Sequence, residues 1–235
     1  MNALRPHENL DTLIIWNYHG LTWPNWMTTS YLTRLTVFHL CLSDSSVLPP
    51  LGKLPSLKVV KLMSMYDLKE IGAEFFGVEE ETSSSSFPSL ETLFLGFLSL
   101  EKWELGGKAE DGSSNSQMKS ISIMPRLSSL HIVVCDKLKQ LPDFLLQNAP
   151  LQNLLIKSCQ SLPASLPDEF ISRIPNVTIE YLGVDRIKGR EIDTEDRFWY
   201  IITIPDVLTL LIVDQVKDFK HPIAGCSNLP QVYSG

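Results

Sequence analysis

The sequence predicts an α/β repeat solenoid, a stack of short parallel strands joined by turns. Three observations carry that prediction. Residues 127–138 (LSSLHIVVCDKL) and 151–162 (LQNLLIKSCQSL) share one pattern, in which Leu127, Leu130, Ile132, Cys135 and Leu138 are echoed 24 residues later by Leu151, Leu154, Ile156, Cys159 and Leu162. The heart of the pattern, LxxLxL, recurs at Leu10/Leu13/Ile15, Leu32/Leu35/Val37, Leu57/Val60/Leu62, Leu90/Leu93/Leu95 and Ile174/Val177/Ile179, which makes seven units starting at 10, 32, 57, 90, 127, 151 and 174. Prolines stand beside the strand signals (Pro24, Pro49, Pro50, Pro55, Pro88, Pro125, Pro142, Pro150, Pro175) and break any long helix on the return path.

Such a period and pattern mark leucine-rich repeats, in which each strand and turn buries its apolar edge only against neighbours; about three units suffice for a stable stack. The LxL heart alternates with period two, as a half-buried strand does, and repeats running the same way give parallel pairing. The expected form is a leucine-rich-repeat horseshoe with a parallel concave sheet and a mostly irregular or 3₁₀ convex side. Residues 4–182 hold about seven units. Two long intervals contain insertions at 77–86 (GVEEETSSSS) and 106–117 (GGKAEDGSSNSQ), whose Gly, Ser and acidic content predicts solvated loops. Residues 183–198 are expected as a charged linker, since nine of the thirteen residues 185–197 are charged. Residues 199–235 form an atypical tail, in which Val207, Leu210 and Ile212 would supply an eighth repeat strand or a C-terminal cap.

Composition narrows the function classes. The chain of 235 residues carries a formal charge of −7, which argues against general attraction to nucleic acid or to an anionic membrane. No apolar run reaches the ~20 residues of a membrane span, because residues 199–213 are interrupted by Pro205 and Asp206. The first ten residues lack the apolar centre of a signal peptide, so a soluble cytoplasmic protein is expected. Four cysteines without a CxxC pair read as reduced thiols; Cys135 and Cys159, side by side in adjacent repeats, read as two small buried residues. Five histidines are dispersed, and HExxH, GxSxG and GxxxxGK[ST] are absent. The expectation is therefore no enzyme, no metal and no cofactor.

A binding role rests on the outward strand positions. Aligning the seven units puts Ile14, Thr36, Lys61, Phe94, His131, Leu155 and Thr178 in one row, and Trp16, Phe38, Met63, Gly96, Val133, Lys157 and Glu180 in the next. Trp16, Phe38, Met63, Phe94 and the nearby Phe97 are expected to form an exposed apolar strip, with His131 and Lys157 towards its polar end; such a strip marks a protein-binding surface. Position nine of the template holds Tyr18, Leu40, Met65, Leu98, Cys135, Cys159 and Leu182, so only the twin repeats keep the usual Asn or Cys there. An open edge at the strand near Leu10 would be an aggregation hazard, and low solubility is expected of the isolated chain.

Residues 6–27, PHENLDTLIIWNYHGLTWPNWM, resemble a repeat in the C-terminal region of plant coiled-coil nucleotide-binding leucine-rich-repeat (NBS-LRR) disease-resistance proteins. The likeness rests on Pro6, His7, Asn9, Leu10, Leu13, Ile15, Tyr18, Gly20, Pro24, Trp26 and Met27. Residues 48–77, 87–103, 124–159 and 171–179 resemble successive segments of that region. The resemblance implies a recognition module of innate immunity that binds a pathogen effector or a host protein and contacts the receptor's nucleotide-binding region. It also implies that upstream regions are missing here, since no phosphate-binding loop is present. A stand-alone adaptor or decoy is the alternative, and an extracellular inhibitor of pathogen enzymes is a further one.

Overall fold

Seven strands, one per repeat, pair in parallel and in chain order. They are β1 (Thr12–Trp16), β2 (Val37–Cys41), β3 (Val59–Met63), β4 (Thr92–Gly96), β5 (Ser129–Val133), β6 (Asn153–Lys157) and β7 (Asn176–Tyr181). The computed structural model describes residues 5–20, 22–28, 31–77, 85–105, 122–162, 166–181, 184–188 and 210–214. Two further strands complete an open nine-stranded sheet: β8 (Val184–Lys188) lies antiparallel on β7, and β9 (Leu210–Asp214) lies parallel on β1.

The register follows from the apolar alternation. Leu13, Phe38, Val60, Leu93, Leu130, Leu154 and Val177 are ladder partners in one row, and Ile15, Leu40, Leu62, Leu95, Ile132, Ile156 and Ile179 in another. Every member of both rows is buried, together with the leading residues Leu10, Leu35, Leu57, Leu90, Leu127, Leu151 and Ile174. Burying one such side chain contributes about 1.5–3 kcal/mol, so the three rows are the main stabilising feature of the stack.

Each repeat leaves the sheet in the same way. Asn17, Leu42, Ser64, Phe97, Val134 and Ser158, the residues directly after β1 to β6, all have φ between 51° and 56°. Their N–H groups donate to Cys41, Met63, Gly96, Val133, Lys157 and Glu180 carbonyls at 2.8–3.1 Å. The left-handed turn thus swings the chain away from the sheet while its N–H stays bonded to the next repeat, which satisfies a backbone donor at a cost in local strain.

The convex side holds short elements of three to six residues: α1 (Asn25–Thr28), a 3₁₀ turn (Leu51–Lys53), α2 (Ala73–Phe76), α3 (Asp143–Asn148) and α4 (Asp168–Arg173). Between them Phe75, Phe76, Phe87, Phe144 and Trp103 form an aromatic cluster with centroids 4.8–6.2 Å apart. Gly52 is required there, since a Cβ would stand 2.0 Å from the Phe76 carbonyl oxygen. Two-residue strands pair Glu70–Ile71 with Lys102–Trp103 and Ser85–Ser86 with Ser122–Ile123.

Several expectations are corrected. In the second repeat the template starts at Leu35, not Leu32. Leu35, Phe38 and Leu40 fill the inward rows, and an odd shift of three residues exchanges the faces of the strand. Position nine of that repeat is then Ser43, whose hydroxyl donates to the Tyr18 carbonyl at 3.0 Å. The insertions are shorter than expected at 77–86: Gly77 caps α2 with φ 62°, and Ser85–Ser86 is strand, with Ser86 buried. The insertion at 106–117 lies outside the described residues. Part of the expected linker is strand β8, and the tail strand sits at the first repeat's edge, away from the C-terminal end. The β1 edge is therefore paired.

Candidate protein-binding face

The sheet face turned away from the core, the concave face of a solenoid of this kind, is built from the alternate positions of the strands. One row runs Ile14, His39, Lys61, Phe94, His131, Leu155, Thr178, and the next runs Trp16, Cys41, Met63, Gly96, Val133, Lys157, Glu180. Here a second apolar cluster forms, separate from the main core: Cys41, Met63 and Phe94 at its centre, with Trp16, Phe97 and Val133 packed against them and half-buried.

Most residues expected in this strip are brought together, but the strip is not exposed as expected: Met63 and Phe94 are buried, and Trp16 and Phe97 half-buried. Trp16 ends β1, Met63 ends β3, and Phe94 lies at the middle of β4. Phe97 joins them because its left-handed backbone turns it back over the strand end. Phe94 leans over Gly96: a Cβ at Gly96 would meet Phe94 Cε1 at 2.6 Å. The missing side chain in the row is thus the space the ring occupies. His131 meets the ring edge-to-face at a centroid distance of 6.1 Å. Lys157 lies further along and pairs with Glu180 at 3.2 Å, which makes that end polar.

Phe38 does not belong here. It is fully buried in the inward row, and the frame shift of the second repeat puts His39 and Cys41 on this face in its place. Sequence reasoning missed both; Val133 it placed in the outward row without counting it in the strip. The signal that would have found them is Ser43, since only the Leu35 frame gives the second repeat a small polar residue at position nine.

Electrostatics on this face is set by burial. His39 is 7% exposed, its Nε2 has no hydrogen-bond partner among the described residues, and burial, aided by the Lys61 charge, lowers its pKa to about 3. It is therefore neutral at physiological pH. Burial likewise pushes the Cys41 thiol up to about 12, against the opposing pull of Lys61, so it is an apolar filler and not a nucleophile. On the opposite side of the strand ends Cys135 and Cys159 are both free; the Cys135 N–H donates to Cys159 Sγ at 3.3 Å. The hydrogen bond with Cys159, then burial, raises the Cys135 pKa. No group of three or more metal-ligating side chains occurs among the described residues.

Comparison with known proteins agrees with the repeat geometry. Residues 1–65 match the family model described as R13L1/DRL21 LRRs. A disease resistance RPP13-like protein 1 of Arabidopsis thaliana is 32% identical over 183 residues, covering 68% of this chain and 17% of the relative. The chain is a leucine-rich-repeat array similar to those of plant disease-resistance proteins. A second Arabidopsis disease resistance protein is 33% identical over 146 residues, and disease resistance protein RGA1 of Solanum bulbocastanum is 33% identical over 97; they cover 60% and 40% of this array. The array spans 9% of the length of each of these two. A distant likeness, at 17% identity and TM-score 0.44, joins 71% of the array to 59% of the leucine-rich repeat domain of the type III effector XopL. Among the described residues no helix is long and apolar enough to cross a membrane.

Proposed function

We propose that this array is a protein-recognition module of a plant immune receptor, working inside the cell and binding a pathogen effector or a host protein through the concave strip. The observation that carries this reading is the second apolar cluster, Cys41, Met63 and Phe94 flanked by Trp16, Phe97 and Val133, which lies on the sheet face that the core does not use. A central aromatic patch with a charged pair at one end has the anatomy of an interface, where a few aromatic anchors supply most of the binding energy and polar groups form the rim. The chemistry on offer is binding: the histidine and the thiol at the centre are held neutral by burial. In a longer protein the same repeats would also contact the nucleotide-binding region.

The test is affinity purification of the chain from plant cells, comparing wild type with Trp16→Ala/Phe94→Ala. One specific protein retained by the wild type and released by the double variant, with circular dichroism unchanged, is the expected result. Equal retention by both would overturn the reading.

A further inference from the structure

The outer edge of β1 treats residues 210–214 as the strand of another repeat. Five consecutive pairs, from Thr12 with Leu210 to Trp16 with Asp214, run in the same direction as every repeat pairing in the sheet. Leu211 and Val213 hold the register positions opposite Leu13 and Ile15, which are the inward positions of all seven repeats. With Leu208 three residues before Leu211, the tail reads LxxLxV, a repeat signature one residue out of step with the frame Val207, Leu210, Ile212. The far edge of the sheet is treated differently: there β8 pairs antiparallel with β7.

We propose that the β1 edge is a strand-accepting interaction surface for an extended aliphatic segment carrying the repeat's own pattern in parallel, and that the chain's own tail strand is its occupant. A bare edge would display a row of unpaired N–H and C=O groups that invites another strand. Selectivity comes from the register, because a one-residue slip would take Leu211 and Val213 off the positions opposite Leu13 and Ile15. Connection within the same chain is within reach. Crossing from β8 to β9 takes roughly 38 Å at the usual strand spacing, and the 21 residues from 189 to 209 extend up to about 70 Å. Tethering of this kind gives a high effective concentration, so a competing strand from a second copy is excluded unless the tail is weakened.

Two experiments on the full chain, in a Cys226→Ser background, test this. Ile14→Cys/Ile212→Cys joins residues that are ladder partners at a spacing a disulfide can bridge; Ile14→Cys/Leu211→Cys is the out-of-register control. With an added thiol oxidant, an intramolecular crosslink forming at least about 10-fold faster in the first pair supports the proposal. Equal rates, or a product that is only a covalent dimer, overturn it. In the second experiment a labelled peptide of residues 206–216 is titrated into wild type and into Leu211→Glu/Val213→Glu, which puts charges at the register positions opposite Leu13 and Ile15. The variant is expected to bind the peptide at least about 10-fold more tightly, because its edge is vacant. Equal binding, or none by either, contradicts the proposal.

Discussion

At the scale of single residues the recurring feature is the left-handed residue after each strand. Glycine or asparagine adopts that conformation at little cost, and Asn17 does so in the first repeat. Val134 is β-branched and sits at φ 52°, which stores on the order of 1–2 kcal/mol. Val134→Asn is expected to raise stability by about 1 kcal/mol in urea denaturation; an unchanged or lower midpoint would show that Val134's packing outweighs the strain. His39 gives a pH dependence of known sign. Its folded pKa is about 3 against 6.5 as the ordinary value, so in that window the unfolded chain takes up a proton that the folded chain does not. Stability is then fully present above about pH 6.5 and falls with acidification, at up to about 1.4 kcal/mol per pH unit. His39→Gln is expected to flatten the profile between pH 6.5 and 4, and parallel profiles for the two proteins would count against a buried neutral imidazole.

At the scale of the element, what could be read from the sequence depended on how clean the alternation was. Repeats five and six, both LxxLxI with a cysteine at position nine, are in the expected frame. Repeat two offers two overlapping frames, Leu32/Leu35/Val37 and Leu35/Phe38/Leu40, and apolar pattern alone does not separate them; the pairing with β1 and β3 does. The tail run TLLIV fits two frames one residue apart; the expected Val207/Leu210/Ile212 is not the paired one, since Leu211 and Val213 stand opposite Leu13 and Ile15, and the partner strand, β1, lies nearly the whole chain away. The concave strip was legible to the extent that the frames were: Trp16, Met63, Phe94 and Phe97 meet, while Phe38 is core. The frame of the second repeat has a direct consequence for stability. Phe38→Ala, which empties a fully buried site, should cost about 3–5 kcal/mol, whereas Val37→Ala, at a half-buried strand start, should cost less than about 1.5 kcal/mol. Similar urea midpoints for the two variants would restore the Leu32 frame.

At the scale of the whole molecule, a stack of repeats contacts itself only between neighbours, so each face can vary without disturbing the other. The inward rows are uniformly aliphatic apart from Phe38, and the convex side is filled differently in each repeat, by the Phe and Trp cluster around α2 and by single helices further on. The concave face gathers aromatic, sulfur-bearing and neutralised titratable side chains in one place, and recognition is the role assigned to it. The most direct measurement is the affinity of the captured protein for wild type and for Gly96→Ala. The added methyl would stand 2.6 Å from the Phe94 ring, which must swing out of the strip, while the inward rows are untouched. The expected result is a loss of binding of about 10-fold or more with the thermal midpoint preserved. Unchanged affinity in a folded Gly96→Ala chain would contradict the assignment of the concave strip as the recognition surface.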